Sequence, residues 1–522
     1  MSEASVPAPG AHSGGAQNAW SGASAEPDPR RWMILVVIAI AQLMVVLDAT
    51  VMNIALPSAQ TALHFNDVDR QWIVTAYSLS FGSLLLFGGR LADLVGRRVM
   101  FITGLAGFAL ASAVGGASVN FAMLVTARAC QGVFGAMLAP AALSLLATTF
   151  TDPKERGKAF GVYGSVAAGG GAVGLLLGGV LTSYLSWRWC LYINLFFAAV
   201  AIAGAVAFLH GRSGPRQAEL DIPGVLLVSS GVFCLVYGFS NAATHSWGTP
   251  STYLFLAAAV VLLATFAFWM GRAKSPLLPP RVVLDRNRGA AYLGILIAGA
   301  GMFGVFLFVT YYLQDTLHYS PVITGVAFLP MVACIAVASN LSNIVLMPRI
   351  GPKPIVSAGL ILAAIGMVLF TRIGVHSGYA ATVLPALMVT GLGLGLMFST
   401  AFNTGTYGVS PRDAGVASAT VNTGQQLGGS IGTSLLNTIF ASAMTAYLAS
   451  HLVPHSAPSV VQSVTANATV HGYIVAFWWV AGIFLFGAIV CGTLMRRGPL
   501  AGRAPTVEPA AATEQATSVP AE

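Results

Sequence analysis

Runs of about 20 apolar residues recur along the whole chain, beginning with Trp32-Met-Ile-Leu-Val-Val-Ile-Ala-Ile-Ala-Gln-Leu-Met44. Each run is long enough to cross a hydrocarbon core of roughly 30 Å as a helix. A chain in lipid must satisfy its backbone hydrogen bonds internally, which leaves helices or a closed barrel. A barrel would show short segments of alternating polarity, and those are absent. Only 8% of the 522 residues are charged, far below the roughly 25% of a soluble domain. The expected fold is an all-α polytopic membrane protein.

Fourteen hydrophobic windows are predicted, from 32–56 to 472–495. With the N-terminus in the cytoplasm, 21 of the 25 Lys and Arg fall in cytoplasmic segments, three outside, and Arg128 within the membrane. That bias follows the positive-inside rule and predicts a multi-pass protein of the cytoplasmic membrane with both termini inside. The net charge of +8 is thereby read as topology, with no nucleic-acid partner. Residues 1–29 and 498–522 are expected to be disordered cytoplasmic tails, being rich in small and polar residues. The basic pair Arg30-Arg31 runs directly into a full-length span, unlike a cleaved signal peptide. The five cysteines (130, 190, 234, 334 and 491) lack metal-ligand spacing and read as small packing residues, so no metal is expected.

An internal repeat divides the chain. Leu63-His64-Phe65-Asn66 recurs 254 residues later as Leu317-His318-Tyr319-Ser320. Gly161-Val162 recurs as Gly415-Val416, Gly174 and Gly178 as Gly428 and Gly432, and Gly96 and Arg98 as Gly351 and Lys353. The expected domains are a six-helix bundle over 30–211, a two-helix insert and linker over 212–288, and a second six-helix bundle over 289–497. Paired repeats around a midplane site are a common plan of secondary transporters.

Four segments carry a family resemblance. Gly89-Arg-Leu-Ala-Asp93-Leu-Val-Gly96-Arg97-Arg98 is similar to the signature loop of the major facilitator superfamily. Leu47-Asp48-Ala-Thr-Val-Met-Asn53-Ile-Ala-Leu-Pro57 resembles the first-helix motif of its fourteen-helix drug:proton antiporters, the quaternary-ammonium and multidrug exporter type. Arg128-Ala-Cys-Gln131-Gly132-Val-Phe-Gly135 resembles their helix-4 arginine motif. The stretch from Gly164 to Gly179, followed by Trp187-Arg188-Trp189 and Ile193-Asn194, resembles the antiporter glycine motif and the corner beyond it. Leu175 and Phe196 stand where that pattern has prolines.

The resemblance implies a major facilitator fold of two six-helix bundles plus two inserted helices. It implies proton-coupled export of drug-like, amphipathic or cationic compounds by alternating access, hence multidrug efflux and antibiotic resistance. A dedicated exporter of an endogenous metabolite or antibiotic is the second reading, and a non-transporting receptor or scaffold a third. The chain shows no nucleophile–base pair and no nucleotide-binding loop, so it is not read as an enzyme. Its energy source is expected to be the proton gradient, with no cofactor, and it is expected to act as a monomer.

Candidate site residues follow. Asp48 alone among 17 acids lies well inside a span. Such a charge costs about 2.5–3.5 kcal/mol on insertion scales, which makes it a functional group by default. A hydrogen-bonded neutral acid joining helices, or an acid shallow enough to meet external water, are the alternatives. Arg128 is by resemblance its proton-relay partner, or else an arginine snorkelling to the interface. Gly89, Asp93, Gly96, Arg97 and Arg98 form the gating loop. Gly174 and Gly178 are read as sliding contacts between the halves. Asn53, Tyr77, Gln131, Phe303, Tyr311, Asn422 and Gln425 are the cargo-cavity candidates, amides beside aromatics suiting a greasy, adaptable pocket.

Overall fold

The computed structural model describes residues 29–65, 67–209, 220–244, 247–410, 412–452 and 457–500. The two tails up to residue 28 and from 501 onward, and residues 212–219 of the expected linker, lie outside the described residues. Every regular element among them is helical. In chain order these are α1 (Arg31–Leu63), α2 (Asp67–Val95), α3 (Arg97–Gly116), α4 (Phe121–Thr149), α5 (Pro153–Tyr184), α6 (Trp189–Phe208), α7 (Ile222–Thr244) and α8 (Pro250–Met270). A short α9 (Pro280–Val283) precedes α10 (Arg286–Tyr311), α11 (Pro321–Leu341), α12 (Met347–Ile350), α13 (Pro352–Phe370), α14 (Leu384–Thr406), α15 (Ala414–His451) and α16 (Pro458–Leu494). Polar caps start several of them: Asn120 accepts from Met123 N at 2.8 Å, and Asp152 from Lys154 N and Glu155 N, with Pro153 in the first turn of α5. Such caps satisfy the orphan N–H groups of a first turn.

Thirteen of the described helices are long and apolar enough to cross a bilayer. The fourteenth is α5, whose segments Pro153–Gly171 and Val173–Tyr184 meet at 43° although Leu175 replaces the usual proline. Phe196, the other departure, sits on the outside of an unbroken α6. The expected final spans, 414–446 and 472–495, are too short. α15 and α16 contain 38 and 37 residues, roughly 55 Å at 1.5 Å per residue, so the connection between them is helical well past the hydrocarbon core.

Backbone geometry repeats with the sequence. His64 and His318 are the two described non-glycine residues with positive φ, at 54° and 55°, each ending a first helix of its half. Gly96 and Gly351 turn the chain between later helices with φ of 113° and 76°, values glycine adopts without the Cβ penalty. α1 packs on α4, α5 and α6, and α3 on α4 and α6; α10 packs on α14, α15 and α16, and α13 on α14 and α16. The halves meet along α5–α11 and α2–α15. Inserted α7 packs on α2 and α15 at once. The Thr75 and Ser240 hydroxyls are 3.0 Å apart, joining α2 to α7, and Trp247 Nε1 donates to Thr438 Oγ1 of α15 at 2.9 Å.

One expectation is corrected here. A methyl group on Gly174 would collide with Thr50, and one on Gly178 would crowd the Cα of Val51, both on α1 of the same half. Gly428 and Gly432 likewise press against Leu296 and Ala300 of α10. These glycines close helix pairs within each half. Contacts between halves are made by the first part of α5, where Gly157, Gly161 and Gly164 meet Asn343, Asn340 and Ser399. The i, i+4, i+7 spacing of that trio defines one stripe, whereas Gly174 and Gly178 lie beyond the bend of α5, where the helix turns onto α1. Gly174→Val is therefore expected to lower the thermal unfolding temperature of the detergent-purified protein, by an overpacking cost of about 1–3 kcal/mol. Ala in place of Thr50 is expected to recover part of it. A Gly174→Val protein that melts with the wild type would contradict this packing.

Candidate functional site

α1 carries Asp48 into the middle of the first bundle, and α4 brings Arg128 beside it. Arg128 Nη1 donates to Asp48 Oδ2 at 2.6 Å, and both side chains are sealed, at 1% and 0% exposure. Arg128 therefore does not snorkel. Its guanidinium also lies over the Tyr77 ring, 4.4 Å from the centroid, and its Nη1 donates to Gln131 Oε1 at 2.8 Å. Gly132 lets α4 approach this close, since a Cβ there would strike Tyr77 O and Ser80 of α2.

Two further amides reach the carboxylate. Gln131 Nε2 donates to Asp48 Oδ1 at 3.0 Å and to Ser112 Oγ at 2.7 Å. Asn194 Nδ2 donates to Asp48 Oδ1 at 2.8 Å. Asp48 thus accepts from a cation and two amides, a charge-assisted set. Asn194 Oδ1 is buried and has no hydrogen-bond partner among the described residues. Ser112 and Asn194 were not among the sequence candidates. In the sequence Ile193-Asn194 stands out only as part of the corner motif, and Ser112 is an ordinary hydroxyl in an apolar helix.

The 89–98 segment docks at the basic end of the bundle. Asp93 Oδ1 and Oδ2 accept from the backbone N–H groups of Gly415 and Val416 at 3.0 and 3.2 Å. A carboxylate there meets the positive end of the α15 dipole. Gly89 and Gly415 pack backbone to backbone beside it. Arg97 Nη2 donates to Asp93 Oδ1 at 3.4 Å, while Arg98 reaches the Val206 carbonyl of α6. The basic ends of the two halves are therefore shut against each other across α2–α15.

The cargo candidates divide. Tyr77 and Gln131 belong to the Asp48 cluster. Phe303 packs on Gly429, the Gln425 backbone on Gly299, and Asn422 bonds its own helix at Ser418 O, all along α10–α15 in the second half. Tyr311 is 41% exposed at the far end of α10. The Asn53 side chain lies outside the described residues. Phe306 is one aromatic that crosses between halves, its ring 3.5 Å from where a Cβ on Gly171 would be, with Thr50 beside it; Tyr163 and Phe402 form another such contact, with ring centroids 6.0 Å apart. A cavity of about 430 Å3 opens elsewhere, between α3 and α4, lined by apolar groups including Leu110, Val114 and Phe134.

Residues 38–433 match the family profile described as the Major Facilitator Superfamily. A puromycin resistance protein of Streptomyces alboniger is 49% identical over 91% of this chain and 93% of its own length. A cephamycin export protein of Amycolatopsis lactamdurans is 38% identical over 76% of this chain and 82% of its own. The crystal structure of the human organic anion transporter MFSD10 superposes with a TM-score of 0.57 over 89% of this chain and all of that one, at 17% identity. At that identity the likeness concerns the fold.

Proposed function

The chain belongs to the major facilitator superfamily, and on that premise we propose that it is a proton-coupled antiporter exporting drug-like amphipathic compounds, antibiotics foremost. It works by alternating access in a cytoplasmic membrane, with the basic end and both termini in the cytoplasm, the side the distribution of Lys and Arg supports. The observation that carries the reading is the sealed Asp48–Arg128 pair with its two amides.

The cluster couples a proton to movement as follows. Asp48 accepts three hydrogen bonds in its ionised form. Protonating Oδ1 or Oδ2 removes an acceptor position and the charge that holds Arg128, so proton loading loosens α1 from α4 and α6. Asn194 can then turn its unpaired Oδ1 toward the new O–H. Downhill proton entry supplies roughly 2.3 kcal/mol per 100 mV and about 1.4 kcal/mol per pH unit. One proton per cycle therefore supports accumulation of a neutral cargo by a factor of about 100 or more.

Everted membrane vesicles with an imposed proton gradient test this, with puromycin as the first probe and a panel of lipophilic cations, neutral drugs and acids beside it. Uptake is expected to require the gradient and to collapse with an uncoupler. Uptake that persists without a gradient, or that needs ATP, would contradict the proposal. A second reading, export of a single compound made by the same cell, is favoured by the single-compound names of the two relatives. It is supported if one antibiotic of the panel is carried and the others are not.

A further inference from the structure

Arg156 looks in the sequence like one more basic residue of a loop. In the structure it is buried at 7% exposure in the first turns of α5, and no carboxylate pairs with it among the described residues. All its acceptors are neutral. Nη1 donates to the Ala147 carbonyl of α4 at 2.8 Å, within its own half. Nε donates to Asn403 Oδ1 and Nη2 to Thr406 Oγ1, each at 2.9 Å and each on α14 of the other half. The guanidinium also lies 4.6 Å from the Phe160 ring centroid and 5.7 Å from that of Tyr407.

Asn403 extends the contact inward. Its Nδ2 donates to Asn343 Oδ1 at 2.9 Å and lies 3.3 Å from Met347 Sδ, while Asn343 Nδ2 donates to Ser399 Oγ. Asn343 sits in a π-helical turn, Ser342–Leu346, which swings it toward Gly157 of α5. Such turns recur where a helix must present one side chain out of register.

The repeat explains why this seam needs its own device. At the α2–α15 seam an acid, Asp93, docks on a helix N-terminus. The corresponding stretch of the second half, Met347-Pro-Arg-Ile before Gly351, holds no acid, so α5, capped by its own Asp152, receives no carboxylate from that stretch. A desolvated guanidinium is costly unless its donors are met, and two of the three acceptors here belong to the opposite half. Parting the halves strands them.

We propose that Arg156 is the positioning residue that latches the basic end along α5–α14, an electrically neutral-partnered counterpart to the Asp93 latch. The two seams are thus closed by charges of opposite sign: an anion held by amides on one side, a cation held by side-chain and backbone oxygens on the other. Lysine cannot replace it, because one ammonium group does not span the three acceptors that the planar fork serves together.

The experiment is double electron–electron resonance between spin labels at Lys158→Cys on α5 and Arg349→Cys on α12, both exposed, in full-length protein carrying Cys130→Ser. It needs neither cargo nor a proton gradient, so its outcome stands apart from that of the transport assay. Arg156→Gln is expected to raise the ratio of long to short distances on the order of tenfold, since charge-assisted hydrogen bonds are among the stronger ones. Asn403→Asp, which gives the guanidinium a counter-charge, is expected to act in the opposite sense and to draw an Asp93→Asn protein back toward the short distance. Arg31→Gln, which removes an ion pair to Glu155 inside one half, is expected to leave the distribution unchanged. If Arg156→Gln does not fold, Asn403→Ala and Thr406→Val test the same acceptors with the guanidinium in place. Distributions for the Arg156, Asn403 and Thr406 variants that superimpose on the wild type, or an Asn403→Asp that fails to restore closure, would overturn the proposal.

Discussion

Asp48→Asn is expected to reduce gradient-driven accumulation of puromycin in everted vesicles from a ratio of about 100 to the passive level, while downhill exchange of cargo continues. Asparagine keeps the shape and the hydrogen-bonding contacts to Gln131 and Asn194 but cannot gain or lose a proton. It imitates the protonated acid permanently. The discriminating pair of measurements is energised uptake and unenergised exchange on the same vesicles. Accumulation at wild-type level in Asp48→Asn would show that the coupling proton binds elsewhere.

Arg128→Met is expected to destabilise the protein by about 3–5 kcal/mol, the cost of stranding a buried carboxylate whose partner has been removed. The pair is 2.6 Å apart with neither side chain in contact with solvent, so water cannot take the place of the guanidinium. Combining Arg128→Met with Asp48→Asn is expected to recover most of that loss in a thermal or denaturant melt, because neighbouring substitutions that share one interaction are not additive. Gradient-driven accumulation is expected to stay absent in the double variant. Additive destabilisation would mean that the two side chains contribute independently.

Much of the architecture was legible because lipid leaves few alternatives. Apolar runs of fixed length can only be helices, and the repeat is written in residues with strict backbone requirements: His64 and His318 end helices in the left-handed region, and Gly96 and Gly351 make the turns. The charged cluster was legible in part. Asp48 and Arg128 each stand out against an apolar background, but 80 positions separate them and only the packing of α1 on α4 brings them together. Ser112 carries no sequence mark that distinguishes it from hydroxyls bonding their own helix, and Asn194 stands in a corner motif that does not say which side chain it meets. The glycine seams were assigned to the wrong neighbours because small-residue spacing states that a helix is approached closely, not by which helix. The burial of Arg156 was illegible for a related reason: a basic residue three positions after Pro153 satisfies the charge bias whether it meets water or a second bundle. The helical extension of α15 and α16 was missed because its polar residues read as loop once hydropathy falls.

The tethering of α7 to α2 through Ser240, and of the loop after it to α15 through Trp247, makes the machine lopsided. A rotation that parts α2 from α15 loads these two attachments, each hydrogen bond contributing about 0.5–1.5 kcal/mol, on one flank alone. The chain is duplicated in its plan, but it swings like a door hung on one side rather than a seesaw balanced at its middle.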